Sequence, residues 1–128
     1  MPKPIKLSRL EYQLMEILWS LGASSVRDIQ QAMSGSPRLA YTTVQTTIFR
    51  MEGKGAVRRT GQAGNAYLFE ARITREKAQR ALIEDLLSIF GGDSQPVMAH
   101  LVSSGKVTLE DVKEAEQVLL QRKNGEKR

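Results

Sequence analysis

Apolar residues recur at helical spacing along most of the chain, interrupted once by a short stretch of strand character. Leu10, Leu14, Ile17, Leu18 and Leu21 form the first stripe. Ser8 precedes it and can cap the free amides, while Glu11, three residues on, can reach back to complete a capping box. Gly22 closes this helix, and Ser24 or Ser25 opens a short second one in which Val26, Ile29 and Met33 recur. The segment SGSPRL, with Pro37, reads as a turn. A third helical run begins at Ala40 and ends in the glycine-rich GKG of Gly53 to Gly55.

The polar positions of this third helix, Tyr41 to Gly55, are more telling than its apolar ones. With Val44 at the centre of the buried side, Ile48 and Met51 fall beside it. Thr42, Thr46, Phe49 and Gly53 then point away, flanked by Thr43, Gln45 and Arg50. A helix that meets only water usually carries Glu and Lys pairs on that face. Here the groups are short, neutral and hydrogen-bonding, which suits close approach to base edges in a DNA major groove. Threonine methyls can meet thymine methyls, and a Gln amide can bond the N6 and N7 edge of adenine. Thr42, Thr43, Gln45 and Thr46 are therefore the expected base-reading set, with an A·T-rich half-site centre. Arg50 suits a phosphate or a flanking guanine, and Phe49 is read as packing on the first helix.

Val57–Thr60 and Ala66–Glu70 flank a turn rich in Gly and Asn and are predicted as a β-hairpin. Three helices and a hairpin, with a short second helix and a polar third, describe a winged helix-turn-helix domain over residues 1–73. Arg58 and Arg59 are expected at the wing tip, adding phosphate contacts together with Lys54. The fold class is thus mainly α, a winged helix-turn-helix domain followed by a helical dimerisation domain over residues 74–128. In that tail Thr74 caps a helix lined by Ala78, Ala81, Leu82, Leu86, Ile89 and Phe90, and Gly91-Gly92-Asp93 breaks it. Asp93 or Ser94 opens a short helix carrying Val97, Met98, Leu101 and Val102. Thr108 with Asp111 opens a last one carrying Leu109, Val112, Ala115 and Leu119. Roughly 50 residues in three short helices have too little interior to cover these side chains. A homodimer built on Leu82, Leu86, Ile89, Phe90, Val97, Leu101, Val112 and Leu119 is expected in preference to a tail folded back on the winged domain.

Charge sharpens this division. Through Arg80 there are 13 Lys and Arg against 6 Asp and Glu, and from Ala81 onward 6 against 8. A basic first part suits a polyanion, and an acidic tail suits another task. The absence of cysteine excludes disulfides and thiolate metal sites. No segment has the apolar length of a membrane span, so a cytoplasmic protein is expected. Enzymatic chemistry finds little support: the single histidine, His100, lies among Ala99, Leu101 and Val102 with no nucleophile turn or phosphate loop beside it. No metal ligand set and no cofactor are expected. A winged module that binds protein, or DNA without sequence preference, is the alternative reading.

Four segments carry a closer likeness. LSRLEYQLMEILWSLG with Trp19, YTTVQTTIFRMEGKG, the wing ending in AYLF, and FGGD at Phe90 to Asp93 together resemble the penicillinase repressor family of BlaI and MecI type. The resemblance covers nearly the whole chain. It implies a homodimer that binds inverted-repeat operators through winged domains, represses transcription and is not an enzyme. It also implies release by a membrane-bound sensor metalloprotease that triggers a cut at an Asn-Phe bond in the short helix after the GGD turn. The matching positions here are His100 and Leu101, so the residues at the bond differ.

Overall fold

A computed structural model of the chain describes residues 5–33 and 39–126. Pro37 and all of the SGSPRL turn except Leu39 lie outside the described residues. The order of elements is α1 (Arg9–Leu21), α2 (Val26–Ala32), α3 (Tyr41–Lys54), β1 (Val57–Ala63), β2 (Ala66–Ala71), α4 (Arg75–Ile89), α5 (Gln95–Ser103) and α6 (Leu109–Glu126). Residues 1–86 and 87–128 form two compact units.

Reciprocal caps fix where three of the helices begin. Ser8 and Glu11 form the expected box on α1, and Ser25, rather than Ser24, forms one with Asp28 on α2. Thr108 and Asp111 do the same on α6. Thr74 accepts from the Lys77 amide at the start of α4, and Asp93 accepts from the Gln95 amide at the start of α5. α3 is the exception: its cap, Ala40, offers no side-chain acceptor. It ends at Gly55, whose left-handed conformation (φ 83°) lets the Ala56 amide close on the Met51 carbonyl oxygen.

The core of the first unit is built from Leu14, Met15 and Leu18 of α1, Val26 and Ile29 of α2, Val44, Ile48 and Met51 of α3, and Val57 and Phe69 of the wing. The predicted α1 stripe needs correction. Its buried line is Glu11, Leu14, Met15 and Leu18, whereas Leu21 is 52 % exposed and Leu10 and Ile17 are half-buried. The helix is rotated so that Glu11 faces inward, an orientation that a purely apolar template does not choose.

The hairpin is longer than expected, with β1 reaching Ala63 and a two-residue Gly64-Asn65 turn. A register shift between Arg59 and Gly61 bends β1. A further strand-like contact joins the wing to the loop between α1 and α2, where Ser24 and Phe69 exchange both backbone hydrogen bonds at 2.9 and 2.8 Å.

The change of sequence character at Thr74 is not where compactness changes. Ala78 of α4 is buried in the core, the Trp19 indole donates to the Ile73 carbonyl oxygen at 2.9 Å, and Arg75 pairs with Glu16 while lying over the Trp19 ring. Leu82 is half-buried beside Ile5 and Leu7. Most of α4 therefore belongs with the first unit.

The second unit, taken by itself, has no buried side chain among its described residues. Val97 and Leu101 are half-buried, Val112 is 44 % exposed, and Ile89, Leu109, Val118 and Leu119 are each more than 60 % exposed. Leu86 and Phe90, the other apolar residues expected at a dimer contact, are 43 % and 42 % exposed. No helix among the described residues is long and apolar enough to cross a membrane.

Candidate nucleic-acid interface

α3 presents polar groups outward because its apolar groups are consumed inward. Val44, Ile48 and Met51 have no exposure, and Thr47 beside them donates its hydroxyl to the Thr43 carbonyl oxygen at 2.7 Å. That bond satisfies the Thr47 hydroxyl within the helix, at the nearly buried floor of the groove that Thr43 and Thr46 also line. Thr42, Thr43, Thr46 and Arg50 are exposed, and Gln45 is half-buried.

The expected reading set divides between two flanks. Thr42, Thr43, Thr46 and Arg50 line a groove of about 360 Å³ that Leu10 of α1 closes on one side. Gln45 faces the other flank, a cleft of about 440 Å³ that it lines with Tyr41, Phe49, Arg27 and the wing residues Asn65 and Tyr67. Phe49 does not pack on α1. It is 43 % exposed and tilts against Phe69 of β2, with ring centres 6.2 Å apart, because the wing and not α1 lies beside that face.

Three of the four cations expected to meet phosphate, Lys54, Arg58 and Arg59, already have carboxylate partners. The Lys54 ammonium lies 2.6 Å from Glu11 Oε1 and donates to the Lys6 carbonyl oxygen at 2.7 Å. The Glu11 side chain is 1 % exposed, against 33 % for Lys54. Burial pushes the Glu11 carboxyl up, but the Lys54 hydrogen bond, the Ser8 amide and the Lys54 charge together outweigh it and hold the group below the ordinary carboxylate range. Arg58 pairs with Glu70 across the strands at 2.6 Å, and Arg59 Nε lies 2.8 Å from Glu52 Oε2 on α3. Neither arginine is at the wing tip. Strand register sets Arg58 opposite Glu70 and Arg59 opposite Phe69, near the base, and leaves Gly64 and Asn65 at the turn.

Arg27 and Arg50, by contrast, carry no ion pair among the described residues. Arg27, Asn65 and Tyr67 line this cleft without having been expected there from the sequence. Asn65 was visible only as a turn former. Nothing local marks Arg27 or Tyr67, because each joins the cleft through packing of its element against α3. No group of three His, Cys, Asp or Glu side chains among the described residues could hold a metal.

Comparison with known proteins decides the assignment. The family model described as "Penicillinase repressor" matches residues 7–121. The chain belongs to the penicillinase repressor family. It is 20 % identical to the penicillinase repressor of Staphylococcus aureus over 118 residues, covering 91 % of this chain and 93 % of that one. It is 30 % identical over 105 residues to the transcriptional regulator BlaI of Mycobacterium tuberculosis, covering 80 % and 75 %. Among solved structures, the DNA-binding domain of the repressor BlaI superposes with a TM-score of 0.51 at 21 % identity, over 60 % of this chain and 93 % of that domain. The YusO protein of Bacillus subtilis gives 0.51 at 16 % identity over 92 % and 75 %. These likenesses establish a mainly helical fold with a winged helix-turn-helix and further C-terminal helices. As a member of the penicillinase repressor family the chain is a DNA-binding transcriptional repressor and not an enzyme.

Proposed function

We propose that this repressor acts as a homodimer that reads inverted half-sites with α3 and is released by a cut in α5. The observation that carries the reading is the neutral, hydrogen-bonding exposed face of α3, bordered by Arg27 and Arg50, which carry no ion pair among the described residues. In this reading Thr42, Thr43, Gln45 and Thr46 enter the major groove, and Arg27 and Arg50 take phosphates on either side. Each base contact is worth about 1–3 kcal/mol of discrimination, so one domain discriminates weakly and a second half-site about one helical turn away supplies the rest. Leu86, Ile89, Phe90, Val97, Leu101, Val112 and Leu119 supply the dimer contact, whereas Leu82 is partly used by the first unit. A dimer seated over a promoter obstructs polymerase, and the cytoplasm is where it meets that DNA.

The third partner in this proposal is a membrane-bound sensor metalloprotease, with His100-Leu101 as the bond cut. His100 is exposed, and the bond lies in a nine-residue helix that has no buried residue in the single chain. Mass spectrometry of the repressor from induced cells should find new chain ends at residues 100 and 101. An intact chain under induction would remove this part of the proposal.

The main test is a titration of fluorescent DNA from upstream of the protein's own gene, with unrelated DNA as competitor, at several salt concentrations. Binding at dimer stoichiometry that survives competitor is expected. Binding erased by salt on both DNAs would reduce the chain to a non-specific basic module, and no binding to either would favour a protein-docking wing. Gln45→Ala should lower operator affinity by about tenfold or more while the sedimentation mass stays unchanged. Equal binding by variant and parent would count against direct readout at this position.

A further inference from the structure

We infer that Arg59 is a positioning residue that locks the wing onto the recognition helix, and that it is not one of the phosphate contacts. This rests on the DNA-reading role proposed above. The edge of its guanidinium holds Glu52 of α3, with Nε 2.8 Å from Oε2. The same group lies 4.5 Å from the centre of the Tyr67 ring, 5.2 Å from Phe49 and 5.4 Å from Phe69. One planar cation thus joins two residues of α3 to two of β2. A planar guanidinium can stack and fork to a carboxylate at the same time, which a lysine ammonium cannot do.

The lock matters because, among the described residues, no other ion pair or ring contact ties residues 60–67 of the wing to α3. Residues 60–66 are all exposed, and the register shift that bends the strand lies immediately beyond Arg59. Phe69 is fixed from below by its backbone exchange with Ser24. Above that point, the direction of the wing depends on Arg59 and the rings around it. Asn65 and Tyr67 on one wall of the cleft, and Gln45 on the other, are kept at a set separation by this contact. Arg59 therefore acts on recognition through the wing, before any DNA is present.

The full chain should be compared with Arg59→Lys, Arg59→Gln and Glu52→Gln in two measurements. Without DNA, amide hydrogen exchange over residues 60–67 should be about tenfold faster in Arg59→Lys and Glu52→Gln, with α1 unchanged. With fluorescent DNA from upstream of the gene, both variants should bind severalfold more weakly, although one keeps the positive charge and the other removes a negative one. The slope of log affinity against log salt should stay at the parent value in Arg59→Gln. A phosphate contact predicts the opposite set: full rescue by lysine, tighter binding by Glu52→Gln, and a slope reduced by about 0.9 for each protomer in Arg59→Gln. That set, or unchanged exchange in Arg59→Lys, overturns the inference. Failure of the parent chain to bind the DNA would remove the functional reading, while the exchange measurement would still decide the lock.

Discussion

Replacing Lys54 with methionine is expected to destabilise the first unit by about 3 kcal/mol, because the change leaves a buried carboxylate without its cation. Glu11 is enclosed by the core, its Oε2 has no hydrogen-bond partner among the described residues, and Lys54 is its counter-ion at 2.6 Å. The lower end of the usual range applies because the Lys54 side chain is a third exposed. Urea titration at neutral pH measures the loss. The pH dependence gives a second check whose sign is fixed. In the parent chain the Glu11 carboxyl is held below its ordinary range, so its contribution is present above the unfolded value and is lost as pH falls through the lowered one. In Lys54→Met burial is opposed only by the Ser8 hydrogen bonds, so the group moves upward and the dependence weakens. The stability gap between parent and variant should therefore narrow as the solution is acidified. Adding Glu11→Gln to Lys54→Met should recover part of the loss by removing the buried charge. Unchanged stability in Lys54→Met would mean that Lys54 is free to serve as a phosphate contact, as its sequence position first suggested.

The second large effect is expected at α6. Val112→Asp with Leu119→Asp places charges on side chains that are 44 % and 64 % exposed in the single chain and that a second copy would cover. Burying either carboxylate without a partner is costly, so sedimentation should show the monomer mass. Affinity for a full inverted repeat should then fall about 100-fold or more, toward that of a single half-site, because the second contact is no longer intramolecular. Circular dichroism should keep its helical signal, since neither position is buried in the monomer. A dimer that survives both substitutions would move the interface away from α6.

Much of the fold was legible because it is local. Ser8 with Glu11 and Thr108 with Asp111 satisfy backbone amides three residues away, and such caps are written in the sequence itself. The polar face of α3 was equally legible, since helical spacing alone separates Thr42 and Thr46 from Val44 and Ile48. The orientation of α1 was not. Glu11 is a charged residue on the buried line, and only the arrival of Lys54, 43 positions later, makes that burial tolerable. The same limit applies to Phe49 and Leu82, whose neighbours, the wing and the N-terminal segment, are distant in sequence.

The helices, the caps of α1, α4 and α6, the hairpin, the hydrogen-bonding face of α3 and the shortage of interior in the C-terminal helices were legible from the chain alone. Each follows from spacing along one element or from composition. Which cations around α3 carry a carboxylate partner among the described residues was set by the packing of elements. Lys54, Arg58 and Arg59 carry the same positive charge as Arg27 and Arg50, but strand register and the packing of α1 on α3 bring Glu11, Glu70 and Glu52 to the first three. A charge is available to DNA only if no carboxylate of the same chain has reached it first, and that is a property of where elements meet.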